Sequence, residues 1–203
     1  MIGKSISYAG NTADRTLHEI VIGDDVLSLP ANVIRFESQR VSGVQNAVDT
    51  YFSWPGMHGY SEARRDVFSQ TRSAHGLIFA RIAQATMSRD MSGRFTPIYK
   101  RLTDGPPVAG PNGLDSFRLR PGAGYANELM YVEKAATDRP YAVRCLVEDH
   151  GSELNFTTQT GCQRDIFIGK DLSVTYRFSI DLLPHWQQIE ADVRKRLELA
   201  LKK

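Results

Sequence analysis

The chain has 203 residues, of which 41% are hydrophobic and 24% are charged, and this composition is ordinary for a soluble globular protein. The 25 Lys and Arg residues against 23 Asp and Glu residues give a formal net charge of +2. This balance argues against a nucleic-acid partner, since such proteins carry a basic surface. No apolar stretch approaches the roughly 20 residues of a transmembrane helix, and no signal-peptide pattern is visible. We expect one α+β domain over residues 1–203.

The amino-terminal quarter predicts short extended elements. Residues 1–16 are polar and are expected to be flexible. Residues 19–22 and 26–29 are apolar and flank Gly23-Asp24-Asp25, which predicts a strand, a turn and a second strand. Pro30 should end that hairpin, and residues 32–36 are expected to be a further extended piece.

The middle of the chain predicts alternating strands and short helices. Residues 44–54 and 76–82 are expected to be strands, although a buried helix remains open for the second segment. Ser61 is a candidate cap for a short helix through residue 69. Residues 95–102 have helical spacing, but Pro97 restricts that helix to its first turns. Residues 105–113, rich in Gly and Pro, predict a loop, and residues 114–120 and 128–133 predict a hairpin.

A glycine-containing loop at residues 54–60 is a candidate recognition surface. It places Trp54, Met57, His58 and Tyr60 around glycines, and loops of this kind carry binding residues. The alternative is that Trp54 only seals the core. A binding surface here predicts a flat apolar patch at this loop.

The carboxy-terminal third predicts three antiparallel strands whose registers agree. If one hairpin is centred between Glu153 and Leu154, Cys145 faces Cys162. A second turn at Lys170 pairs the following strand so that the apolar alternations share one face with both cysteines. We therefore expect a disulfide, which closes a loop of moderate length and indicates an oxidising compartment. Two buried thiols in a cytosolic core are the alternative.

Arg164 is anomalous because this register places it on the apolar face, opposite Tyr176. A buried guanidinium needs a partner. The candidates are stacking on Tyr176, an ion pair with an acidic residue from elsewhere in the chain, or a side chain that extends past the sheet edge into solvent.

After the strands, Pro184 opens a predicted amphipathic helix that should pack on the three-stranded meander. Its apolar stripe consists of Trp186, Ile189, Val193, Leu197 and Leu201. Trp186 is expected to be a core residue, and the cations that end the helix, among them Arg194 and Arg196, complement its dipole.

No complete catalytic motif occurs in the sequence. It has no nucleophile elbow, no Cys-x-x-Cys pair and no dinucleotide fingerprint. The five histidines lack metal-ligand spacing, so neither a metal nor a cofactor is predicted. An acidic group at residues 148–153 could hold a cation, but a solvated turn is the simpler interpretation.

Two stretches carry a resemblance to a known family. One runs from Val26 through Leu29-Pro30-Ala31-Asn32 to Trp54-Pro55 and Tyr60. The other runs from Cys162-Gln163-Arg164-Asp165-Ile166 through Tyr176-Arg177-Phe178 to Trp186. Together they resemble uncharacterised bacterial envelope proteins that are membrane-anchored at the amino end with the rest in the periplasm. The resemblance implies a location and no activity. On this expectation an anchor or signal precedes the chain, and Met1 is an expression start.

The first functional hypothesis is a non-enzymatic periplasmic module that binds a protein or an envelope component. The alternative is a periplasmic immunity or inhibitor protein that neutralises a secreted toxin or a cell-wall enzyme. A third class is an enzyme assembled from distant residues, for which Arg35, Arg40, Asp90 and Arg94 are possible contributors.

Overall fold

A computed structural model describes residues 10–69, 75–120, 122, 124–125, 127–135, 137–146 and 161–202. Two antiparallel-dominated sheets and a carboxy-terminal helix make up this α+β fold, as predicted. The small sheet has the order β2-β1-β3 and the large sheet the order β4-β5-β11-β10-β9-β8-β7-β6. The strands are β1 (Leu17–Ile22), β2 (Asp25–Pro30), β3 (Gly43–Val44), β4 (Ala47–Ser53), β5 (Leu77–Gln84), β6 (Thr103–Ala109), β7 (Leu114–Leu119), β8 (Glu128–Glu133), β9 (Ala142–Leu146), β10 (Cys162–Ile168) and β11 (Leu172–Phe178). The α-helices are α1 (Arg65–Ser69), α2 (Met91–Phe95) and α3 (Trp186–Glu198).

The carboxy-terminal meander β9-β10-β11 has the predicted register. Cys145 pairs with Cys162, Arg164 pairs with Tyr176, and Ile168 pairs with Leu172. The predicted hairpin centre and the acidic residues 148–153 lie outside the described residues. Strand β5 is an interior strand between β4 and β11, as its apolar sequence predicted.

Helix α3 packs on this meander through its apolar stripe. Trp186, Ile189, Val193 and Leu197 are buried in the main hydrophobic core together with residues of β4, β5, β10 and β11. The core position of Trp186 is confirmed, and its indole Nε1 donates to the Asn112 carbonyl at 3.0 Å. Pro184 does not begin this helix, because a 3-10 helix over Ile180–His185 precedes it.

The small sheet attaches at both ends of this core. Asp25, the first residue of β2, accepts hydrogen bonds from the backbone N–H groups of Lys170 and Asp171 at 2.8 and 3.1 Å. On the other side, Leu27 of β2 forms a bridge with Leu201, just after α3. The small sheet therefore covers the carboxyl end of the helix.

The large sheet has two halves, because β9 and β10 pair at only two positions. Helix α2 contacts both strands where they diverge. The main core extends over both halves, since it includes Leu114 of β7 and Val143 of β9. A second core forms on the opposite face of β7, β8 and β9 from α3. Its buried members are Met91, Phe95, Tyr99, Leu119, Met130, Val132 and Ala142.

The structure differs from the sequence predictions at residues 105–113 and 32–36. Residues 105–113 were expected to be a loop, but residues 103–109 form the edge strand β6. Pro106 and Pro107 are tolerated because they fall where the register of β6 shifts, between Asp104 and Val108, and an edge strand leaves N–H positions unpaired. Residues 32–36 were expected to be extended; a 3-10 helix occupies Ala31–Val33 instead, whereas Ile34 is extended and forms a bridge with Thr50 of β4.

Three further findings bear on the chain ends and on the other helices. In the part of the chain that the structure describes, no helix is long and apolar enough to cross a membrane. Residues 1–9, the start of the segment expected to be flexible, lie outside that part. The end of the same segment is held in place, because the Thr16 carbonyl accepts a hydrogen bond from the Ala31 N–H at 2.9 Å.

The predicted segments 61–69 and 95–102 contain the 3-10 helices Glu62–Arg64 and Tyr99–Leu102 beside α1 and α2.

Candidate functional site

The predicted recognition loop at residues 54–60 is anchored by its aromatic residues. The Trp54 Nε1 donates to Asp192 Oδ2 of α3 at 3.1 Å, and its ring lies 5.2 Å from that of His185. Tyr60 is buried, and its ring packs edge-on against Phe68. Trp54 therefore seals the core at the start of α3, which is the structural alternative considered for it.

The other two predicted loop residues differ in exposure. Met57 is buried in the main core and has a left-handed backbone with φ 51°, whereas His58 is exposed. Trp54, Met57, His58 and Tyr60 consequently form no flat apolar patch, and His58 is the one exposed residue of these four. The binding role of this loop stays a prediction.

Arg164 is the centre of a buried polar network. Only 3% of this residue is exposed, and its guanidinium binds Glu190 of α3 through Nε at 2.9 Å and Nη2 at 3.1 Å. Its Nη1 donates to Ser92 Oγ at 3.1 Å and to the Ala142 carbonyl at 2.7 Å. Arg164 therefore joins α3, α2 and β9 at the place where the two halves of the sheet diverge.

The partner of Arg164 is Glu190, an acidic residue from elsewhere in the chain, which is one of the alternatives named in the sequence analysis. Glu190 also accepts from the Tyr176 hydroxyl at 2.6 Å and from Arg194 Nε at 2.8 Å. The Arg164 guanidinium lies over the ring of Tyr141 at 4.4 Å, so its aromatic neighbour is not the predicted Tyr176. Sequence reasoning missed Glu190, because one helical position off an apolar stripe is usually solvated.

The pKa values in this network favour a fixed ion pair. Burial alone raises the pKa of Glu190, but the hydrogen bonds and charge of Arg164 outweigh burial and lower it. Burial raises the pKa of both Tyr141 and Tyr176. Glu190 and Arg164 are therefore charged and both tyrosines neutral at physiological pH, and the network contains no group poised for proton transfer near neutrality.

The disulfide lies beside this network. Cys145 and Cys162 are fully buried, and their sulfurs are bonded at 2.05 Å. They occupy one of the two positions at which β9 and β10 pair. The covalent bond and the Arg164 network thus hold the two halves of the sheet together from adjacent positions.

The residues proposed for an enzyme site do not converge. Asp90 caps α2 through the Gly93 N–H, and Arg94 binds Asp165 at 2.5 Å. Arg40 donates from Nε to the Ile34 carbonyl at 3.1 Å, so it holds the chain that precedes β4. Arg40 Nη2 also donates to the Arg35 carbonyl at 3.3 Å, but the Arg35 side chain lies on the uncovered face of the sheet.

That uncovered face is the candidate functional site, and we call it the open face. It lies over β4, β5, β11 and β10 on the side opposite α3, and it is a shallow depression of about 390 Å³. The same side of β7, β8 and β9 is covered by α2 and the second core. The depression is lined by Arg35, Asp49, Thr50, Phe79, Ala80, Arg81, Gln163, Thr175 and Arg177.

Strand pairing arranges the open face in rows. One row runs across the sheet through Asp49, Arg81, Thr175 and Asp165, because directly paired residues point to the same side. Arg81 binds Asp49 at 2.7 Å, and Asp165 binds Arg94 at the far end of the row. Arg94 in turn lines a second depression beside the exposed Met87 and Ile98.

The next row combines aromatic and cationic side chains. It runs through Tyr51, Phe79, Arg177 and Gln163, and Tyr51 at its end is buried against Phe68. The Arg35 guanidinium lies 4.9 Å from the centroid of Phe79 and 5.0 Å from that of Phe36, which is 44% exposed. Such contacts hold an arginine side chain upright without neutralising its charge.

The open face is positively charged and carries side-chain types that are common in binding surfaces. Three arginines and one aspartate line the depression, which gives it a local charge of 3 − 1 = +2. Arginine, aromatic and methionine side chains are the types enriched in the centres of protein interfaces. Sequence reasoning did not select this face, although the spacing of Phe79 and Arg81 two residues apart in an apolar strand was a visible signal.

Comparisons with known proteins show the fold. No family model matches the chain, and no curated protein matches it. An immunity protein of the Stenotrophomonas maltophilia type IV secretion system has a similar structure, with a TM-score of 0.60, 16% identity and coverage of 94% of this chain and 95% of that one. The iron-regulated outer membrane lipoprotein FrpD of Neisseria meningitidis is similar with a TM-score of 0.51, 14% identity and coverage of 93% and 97%. The two likenesses span nearly the whole chain in each case, so the α+β architecture is shared.

Proposed function

We propose that this chain is an exported immunity protein that neutralises a secreted toxin by binding it through the open face. The observation that carries the proposal is an uncovered, arginine- and aromatic-rich sheet face on a fold that resembles an immunity protein of a secretion system. The toxin surface that it covers is acidic, because an interface pairs a positive patch with a negative one.

The disulfide supports the exported location. Disulfides persist in oxidising compartments such as the bacterial periplasm and are rare in the cytosol. The likeness to an outer membrane lipoprotein and the resemblance to periplasmic envelope proteins point to the same compartment. In this proposal the chain meets its toxin on the periplasmic side of the envelope.

The experiment is a protection assay in which a candidate toxin is directed to the periplasm of cells that export this chain. Candidate toxins are the secreted proteins encoded by adjoining genes. We expect growth with the natural chain and lysis or arrest with Arg35→Glu/Arg177→Glu. Arg118→Glu, which reverses a charge at an exposed position on β7 outside the open face, should still protect. Death with the natural chain for every candidate would contradict the proposal.

A second candidate function is a lipoprotein-like module that holds an envelope component rather than a toxin. The likeness to FrpD favours it. This module would give no protection against a toxin, and cross-linking in intact cells would join its open face to an envelope component whether or not a toxin is present. Loss of those cross-links in the Arg35→Glu/Arg177→Glu variant would place that component on the open face.

A further inference from the structure

A third cavity, separate from the open face and from the depression beside Met87, lies beneath the predicted recognition loop. Its volume is about 380 Å³. Residues 56–59 form one wall, and residues 30, 32 and 33 form another. Three arginines and one histidine complete a basic lining, and no acidic residue takes part. These four are Arg15, His58, Arg64 and Arg196.

Half-buried Arg196 has no acidic partner in the described part of the chain, unlike its half-buried counterparts Arg144 and Arg194. Arg144 binds Glu128 at 2.7 Å, and Arg194 binds Glu190. The Arg196 guanidinium instead lies over the Phe52 ring at 5.6 Å. Burial without an opposing carboxylate lowers the pKa of Arg196. A partly desolvated charge without a counter-charge costs free energy that a bound anion would recover.

Arg64 adds a second donor with spare capacity. Within the described residues its side chain makes one hydrogen bond, from Nη1 to Ser61 Oγ at 3.5 Å, which is at the limit of a hydrogen bond. A guanidinium carries five N–H donors in a planar fork that matches the oxygens of carboxylate and phosphate groups. Arg64 and Arg196 together therefore offer more donors than the protein itself satisfies.

The wall opposite the arginines is held in place. A side chain at Gly59 would meet Val33 Cγ1 at 2.7 Å and Asn32 Nδ2 at 2.8 Å, so the loop approaches the Ala31–Val33 turn as closely as a glycine allows. Asn32 Nδ2 also donates to the Tyr60 carbonyl at 2.9 Å. A fixed wall reduces the entropy that a ligand loses on binding.

We propose that this cavity binds an oxyanion of the carboxylate or phosphate class through Arg196 and Arg64. The anion is either a free small molecule or an acidic group presented by a protein partner, and both offer the same oxygens to the arginines. The site does not rest on the proposed toxin-binding function, because none of its lining residues belongs to the open face.

The test uses the purified, disulfide-bonded chain at low ionic strength, where charge interactions are least screened. Calorimetry measures binding of citrate, of inorganic phosphate and of a short Asp/Glu peptide, and NMR follows the arginine Nε–H signals. Arg196→Met keeps the apolar stem over Phe52 while removing the charge, and Arg64→Gln is the second variant. Arg118→Gln removes one positive charge outside the cavity and is the matched control.

We expect Arg196→Met to weaken citrate or phosphate binding by at least about tenfold, since a hydrogen-bonded charge contributes on that scale. Arg64→Gln should weaken it less, and Arg118→Gln should leave it within about twofold of the natural chain. Tighter binding of the peptide than of the free anions would identify a partner's acidic group as the source, and the reverse would identify a free anion.

Stability measurements separate a binding role from a structural one. Without an anion, Arg196→Met should be as stable as the natural chain or more stable, because it removes an uncompensated charge. Citrate should raise the melting temperature of the natural chain and of Arg118→Gln but not that of Arg196→Met. The proposal would be overturned if both Arg196→Met and Arg64→Gln bound citrate and phosphate as tightly as the natural chain does. It would also be overturned if chloride at matched ionic strength produced the same NMR shifts as these anions.

Discussion

Replacement of Glu190 by glutamine tests the buried network most sharply. Glu190 accepts four hydrogen bonds, two from Arg164, one from Tyr176 and one from Arg194. Glu190→Gln keeps the shape of the side chain but leaves it one accepting oxygen and no charge. The Arg164 guanidinium is then a buried cation without its counter-charge. Removal of one partner of a buried ion pair costs about 3–5 kcal/mol. In a protein of this size that corresponds to roughly 6–20 °C in melting temperature.

Arg194→Gln is the matched control for that experiment. The Arg194 side chain is 35% exposed and pairs with Glu190 one helical turn away. Helix pairs with this i,i+4 spacing contribute only about 0.3–0.5 kcal/mol, and Glu190 keeps both hydrogen bonds from Arg164 in this variant. Urea unfolding monitored by circular dichroism should therefore separate the two variants clearly. A loss below about 1 kcal/mol for Glu190→Gln would refute the reasoning that Arg164 depends on this carboxylate.

The same variant has a defined pH dependence. The pKa of Glu190 is lower in the folded protein than its ordinary value of 4.5, so the folded state binds fewer protons than the unfolded chain. The stabilisation is complete above about pH 4.5 and is lost as pH falls through the lowered pKa. As pH falls below about 4.5, the stability difference between the natural chain and Glu190→Gln should shrink. A constant difference down to the lowest pH would contradict the conclusion that Glu190 stabilises the fold as a charged partner of Arg164.

Two further predictions concern the disulfide and the loop at residues 54–60. The Cys145→Ala/Cys162→Ala variant should lose about 3 kcal/mol in urea unfolding, because the bond closes a loop with a sequence separation of 17; equal stability of the two proteins would exclude a structural role for the bond. Gly59→Ala should cost about 1–3 kcal/mol, since the added carbon overlaps Val33 and Asn32. Gly122→Ala, which meets open space, is its control, and the prediction fails if both alanine variants melt together.

The sequence predicted best where the side-chain period is enforced by a buried face. The pairing register of β9, β10 and β11 could be predicted, because a slip of one residue would expose Cys162, Ile166 and their neighbours. The α3 stripe was readable for the same reason. The strand at residues 103–109 could not be predicted, because an edge strand need not bury one face. Pro106 and Pro107 are typical of turns, and they fit a strand here only because the register shifts at their position.

Contacts between distant parts of the chain could not be read from local pattern. Arg164 was recognisable as a buried charge, but Glu190 as its partner depends on how α3 is rotated over the sheet. The open face combines Arg35, Phe79 and Arg177, which are brought together by the strand order β4-β5-β11-β10. Strand order follows from the long connections and not from the alternation within any one strand.

The most direct test of the proposed function is the affinity of the natural chain for a secreted toxin that it protects against, measured beside the open-face variant. We predict that Arg35→Glu/Arg177→Glu weakens binding by at least about tenfold with an unchanged melting temperature, and that Arg118→Glu binds like the natural chain. Unchanged toxin affinity in Arg35→Glu/Arg177→Glu would contradict the assignment of the open face as the binding surface.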